Sequence, residues 1–100
     1  MTTFIHVAGT SHTNPDDTSR QAILGALQEG DPITLEPEPS NPYDIFAIRV
    51  LTSLGCIGYV PAAVAKQMPR PLRTTTGNIY QLFGGHGEKA TRGCKIVIEG

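Results

Sequence analysis

Tryptophan is absent, cysteine occurs only twice, and no apolar run approaches the ~20 residues that a membrane-spanning helix needs. Neither Cys56 nor Cys94 belongs to a CxxC pair, and each stands inside an apolar, strand-like run. That excludes a disulfide scaffold and reads both thiols as small buried hydrophobes. The spacing of His6, His12 and His86 relative to them matches no metal motif. Nucleophile signals are missing too. There is no GxSxG elbow, and Ser11, Ser19, Ser40 and Ser53 fall in turns or near a helix start. Cys94 with His86 lacks an orienting third group, and the acids show no DxD or ExxH spacing. The expectation is a protein with no catalytic centre, no cofactor and no metal. The start, Met1-Thr2-Thr3-Phe4, has neither a basic segment nor a long apolar one, so no secretory leader and a cytoplasmic location are expected.

What is present suits one folded unit. Apolar residues make up 39% of 100, enough for a single core, so residues 1–100 read as one domain. The net charge of −1 hides a split. Met1 to Ile48 carries seven acids and one base, Arg20, whereas Arg49 to Gly100 carries seven bases and two acids. Such a split permits one basic face for a polyanion; it equally permits two halves that attract each other.

Along the chain, Phe4-Ile5-His6-Val7-Ala8 is a short strand bounded by Gly9-Thr10-Ser11. Asp16, Asp17 or Thr18 can cap a helix reaching Gln28, with Ile23, Leu24 and Leu27 on one apolar stripe. Ile33-Thr34-Leu35-Glu36 is a strand running into Pro37-Glu38-Pro39. Ser40-Asn41-Pro42-Tyr43-Asp44 is the sharpest turn signal. Phe46 to Leu51 then alternates, placing Phe46, Ile48 and Val50 on one face and Arg49 on the other. Ser53-Leu54-Gly55 folds that strand back on Cys56 to Val60. Pro61 opens a short helix, Ala62 to Met68. Asn78 to Gly84 and Gly93 to Glu99 make a last strand pair around Gly84-Gly85-His86-Gly87, which resembles a phosphate cradle but lacks the Lys-Ser/Thr and helix of one. The fold class is mostly β (α+β): a small OB-like antiparallel barrel of about six strands with two short helices.

Aromatics beside turns and bases are the remaining functional signal. Tyr43 sits at the turn tip, Tyr59 leads to the helix bearing Lys66, and Phe83 borders the glycine-rich loop. Rigid aromatics near Lys and Arg suit single-stranded nucleic acid. The bland alternative places these three rings in the core with Phe4, Phe46 and Tyr80.

Three segments carry a resemblance to a known family. Val7-Ala8-Gly9-Thr10, then Asn41-Pro42-Tyr43-Asp44 with Ala47-Ile48 and Val50, then Gly58-Tyr59-Val60-Pro61, resemble the HIRAN domain in composition and order. The middle one is similar to the N-P-Y-D-x-x-A-I-x-V signature at all seven fixed positions. The resemblance implies a modified OB-fold without catalysis that captures the 3′ end of single-stranded DNA, in DNA repair or replication-fork processing. It implies stacking by Tyr43, a hydrogen bond from the terminal 3′-hydroxyl to Asp44, phosphate and sugar contacts near Asn41 and Tyr59, and a pocket edge at Phe83-Gly84. Departures are His6 in place of a second stacking tyrosine, Ile5 in place of a base, and Ala62 in place of a lysine, with Lys66 one turn on. The expected partner is a single-stranded DNA 3′ end, with a helicase or nuclease as a further partner and no membrane. The rival reading is a protein-interaction module whose DNA pocket has degraded, docking on a helicase, nuclease or phage protein. Lys66, Arg70 and Arg73, then Lys89 and Arg92, are the bases expected to meet phosphates.

Overall fold

A computed structural model describes residues 2–68, 75–86 and 90–99. Alternation builds its strands. β1 (Thr2–His6) buries Ile5 and turns Phe4 and His6 outward, and Val7 just beyond it is buried again. β2 (Pro32–Pro37) buries Ile33 and Leu35, β3 (Ile48–Thr52) buries Ile48 and Val50, and β4 (Gly55–Tyr59) buries Ile57. β5 (Thr75–Phe83) buries Ile79, and β6 (Gly93–Glu99) buries Cys94, Ile96 and Ile98. Every neighbouring pair is antiparallel, in the order β1-β6-β5-β2-β3-β4. The helices are α1 (Arg20–Ala26) and α2 (Ala62–Ala65). The mostly β architecture of six strands and two short helices is as expected.

This order leaves β1 and β4 as edges, which in a flat sheet would expose two rows of unpaired backbone groups. The sheet curls instead until its ends meet. Ala8 and Tyr59 exchange both backbone hydrogen bonds, each 2.8 Å, making a six-strand half-barrel closed at one residue pair. Gly58 makes that approach possible. Its φ is 148°, and a Cβ there would collide with the Ala8 carbonyl oxygen.

The core is aliphatic. Ile23, Leu24 and Leu27 of the α1 stripe join the inward residues of all six strands, and the Cys94 thiol packs among them. No described aromatic belongs to it, which corrects the assignment of Phe4 and Tyr80 to the core: they are 55% and 53% exposed. Arg49 is half-buried rather than exposed.

Several boundaries differ from expectation: α1 stops at Ala26 rather than Gln28, α2 at Ala65 rather than Met68, and β1 spans Thr2–His6 rather than Phe4 to Ala8. The cap of α1 is Ser19, whose Oγ accepts from the Ala22 N–H at 3.1 Å. Asp16 is occupied in its own turn, accepting from the Thr18 N–H, and Asp17 adopts φ 69°, so neither starts the helix. β3 begins at Ile48 because the preceding residues close a turn on Asp44, leaving Phe46 half-buried. β5 begins at Thr75, drawn into pairing by β2 (Leu35 opposite Thr75).

Gly58→Ala is expected to cost ~1–3 kcal/mol from backbone strain alone, with the collision adding to it, read as a lower urea midpoint at unchanged slope. Burial pushes the Cys94 thiol up to about 12. A thiol reagent at pH 8 should therefore modify the half-buried Cys56 in the folded protein and Cys94 only on unfolding, as counted by mass spectrometry.

Candidate functional site

The closure of the barrel creates a groove. Ala8 and Gly9 form one wall, Tyr59 and Val60 the floor, and the turn with Asn41, Tyr43 and Asp44 the opposite rim, enclosing about 590 Å³. The turn is locally determined. Asn41 Oδ1 accepts from the Tyr43 and Asp44 N–H groups at 2.8 and 3.0 Å, with Pro42 fixing the backbone between them. Asn41 Nδ2 donates to Glu38 Oε1 at 3.1 Å, tying the turn to the residues after β2. Asp44 Oδ1 accepts from the Phe46 N–H at 2.9 Å, and its Oδ2 makes no hydrogen bond among the described residues. The backbone of Tyr43 is thus fixed while its side chain is 95% exposed. Neither burial of the ring nor saturation of the carboxylate explains these two residues.

Tyr59 is the groove's anchored ring. Its hydroxyl donates to Glu38 Oε1 at 2.8 Å. Burial, then that hydrogen bond, pushes the phenol up to about 12, so it stays a neutral donor. Arg49 pairs with Glu36, donating from Nε at 3.1 Å and from Nη2, and lies 3.7 Å from Glu38. The hydrogen bond to Glu36 holds the guanidinium above its ordinary range. One base thus offsets one of these two carboxylates, and a net negative charge remains beside the groove.

Arg20 is the site residue that sequence reading missed. It is 7% exposed, donates from Nε to Asn14 Oδ1 at 2.7 Å and from Nη1 to the Gly9 carbonyl at 2.8 Å, and lies 5.3 Å from the Tyr59 ring centroid. No carboxylate pairs with it among the described residues. The groove lining thus holds one base, Arg20, against the Tyr59 ring, and one acid, Asp44, on the rim. The signal in the sequence was that Arg20 is the sole base before Arg49.

The other expected site residues fall into two places. His6 and Phe83 meet edge to face at 5.2 Å on the outer side of β1 and β5, the Phe83 ring lying over Gly93, where a Cβ would collide with it. Gly84 follows with φ 78°. Lys66 is exposed at the end of α2 and does not reach the groove, whereas Ala62, one turn earlier, lines it. Ile5 lies inside the core. Arg92 keeps its guanidinium beside Gly25 and Gly85. Arg70, Arg73 and Lys89 lie outside the described residues. Among the described residues there is no cluster of three or more His, Cys, Asp or Glu suited to a metal, and no helix long and apolar enough to cross a membrane.

Alkaline pH probes this network. An unfolded phenol ionises near ~10, while Tyr59 keeps its proton to about 12. The unfolded chain loses this proton first, so the Tyr59 contribution to stability is full below pH ~10 and is lost as pH rises towards 12. Tyr59→Phe should reduce that fall without abolishing it, because Cys94 acts in the same sense; urea midpoints at pH 9 and 11 check this.

The profile of the HIRAN domain matches residues 1–99. Among solved structures, the crystal structure of the HIRAN domain of human HLTF is similar, with a TM-score of 0.61 at 20% identity, covering 97% of this chain and 72% of that one. No curated protein sequence matches.

Proposed function

The chain belongs to the HIRAN domain family, known for DNA-binding modules, and from that premise we propose that residues 1–100 form a non-catalytic module that holds single-stranded DNA by its 3′-hydroxyl end. One observation carries this reading: an almost fully exposed Tyr43 ring on a rigid turn, over a groove floored by Tyr59 and Arg20. A ring held this way meets a base face with little loss of conformational freedom. Asp44 Oδ2 accepts from the terminal hydroxyl. Asn41 sets the turn, Tyr59 faces the sugar, and Arg20 draws the phosphate. His6 with Phe83 and Gly84 bounds the neighbouring position, and Lys66 meets a more distant phosphate. An end-binder of this kind belongs to DNA repair or fork processing, alongside a helicase or nuclease that acts on the same end.

The test is a titration with single strands bearing a 3′-hydroxyl, a 3′-phosphate, or no end. Preference for the hydroxyl is expected. No binding of any strand at low salt would transfer the groove to a protein partner. Tyr43→Ala should weaken binding by ~1–3 kcal/mol and leave the melting temperature unchanged, since the ring packs on nothing. Asp44→Asn keeps an oxygen for the Phe46 N–H and should lose affinity for hydroxyl ends alone. With about three phosphates neutralised, affinity should fall roughly 20-fold between 50 and 200 mM salt, and Lys66→Ala should flatten that slope by about 0.7.

A further inference from the structure

β1 leads away from the groove along the outer face of the sheet. Ala8 lines the groove; His6 and Phe4 stand at alternate positions before it and so share its outward side. Phe4 and Tyr80 meet edge to face with centroids 4.7 Å apart, and His6 and Phe83 form a second such pair at 5.2 Å. Lys95 of β6 is opposite His6 in register, exposed, and in no ion pair among the described residues. Phe4, His6, Tyr80 and Lys95 together border a shallow depression of about 430 Å³. Phe4 and Tyr80, 55% and 53% exposed and touching each other edge to face rather than joining the core, keep π surface open to solvent. The core itself is aliphatic and does not need them.

We propose that this face is a second stacking platform for single-stranded nucleic acid, on which Phe4 and Tyr80 take bases and Lys95 takes a phosphate. The proposal rests on the end-binding reading and extends it from one terminal nucleotide to the stretch that follows. The occupant is fixed by chemistry: stacked rings interleaved with an unpaired lysine match bases alternating with phosphates. From Ala8 to Phe4 the track runs roughly 14 Å at ~3.4 Å per residue, room for about two to four nucleotides depending on how far the strand is stretched.

The experiment compares thymidine strands of two and twelve nucleotides, each with a 3′-hydroxyl, on the wild type, Phe4→Ala/Tyr80→Ala and Lys95→Gln. All three substituted side chains are exposed, so the fold should survive, as thermal melts will verify. The wild type should bind the longer strand more tightly. The double variant should lose at least about fivefold on twelve nucleotides and nothing on two. Lys95→Gln should lower the salt slope by about 0.7 on the longer strand only. Equal affinity of the wild type for both strands, or equal losses on both, overturns the platform and leaves the end pocket standing. Binding of neither strand overturns both readings. A wild-type dimer that the double variant converts to monomer assigns the face to a second copy of the chain and overturns the proposal.

Discussion

Two backbone hydrogen bonds between Ala8 and Tyr59 set the geometry on which the rest depends. Each contributes only ~0.5–1.5 kcal/mol net, but together they join edges that are otherwise open. They also fix where function can reside. The groove exists because the chain leaving β1 is held against the end of β4, and the turn bearing Tyr43 overhangs that junction. Gly58 is the local condition for the contact, and the Gly9 carbonyl, one residue past it, anchors Arg20. Closure, floor and buried charge are one construction.

Two arginines near the groove are treated in opposite ways. Arg49 is half-buried and surrounded by Glu36 and Glu38, so its charge is consumed within the fold. Arg20 is more deeply buried, yet its described acceptors are a side-chain amide and a backbone carbonyl. Burying an ion without a counter-ion is costly unless hydrogen bonds and a polarizable neighbour compensate. Asn14, Gly9 and the Tyr59 ring supply those, and the positive charge persists at the groove floor.

Much of this was legible in the sequence. All six strands were placed, β2 and β3 by period-two alternation and the others as short runs between turn signals. The Asn41-Pro42-Tyr43-Asp44 turn formed with the side-chain bonds its residues favour, and Ile23, Leu24 and Leu27 faced the core. The start of α1 was not legible, because Asp16 and Ser19 are both competent caps and tertiary contacts around Asn14 decided between them. Phe4 was assigned to the core by residue type although alternation with the buried Ile5 placed it outside. In that case the pattern was the better guide than the hydrophobicity. Arg20 stayed hidden because its partners, Gly9 and Asn14, are neutral, and nothing in one dimension distinguishes such a base from a solvated one.

The pairing of β1 with β6 sets Thr2 opposite Glu99. The first strand therefore finds its hydrogen-bonding partner only after the last has been synthesised. Until then Ile5 and Val7 wait without a core, and the Ala8–Tyr59 contact has only one rigid side to close upon. Contacts of such long sequence separation carry a large loop-closure cost and slow the search for the native state. The groove wall is supplied by this same segment, so binding competence is expected only once β1 has docked.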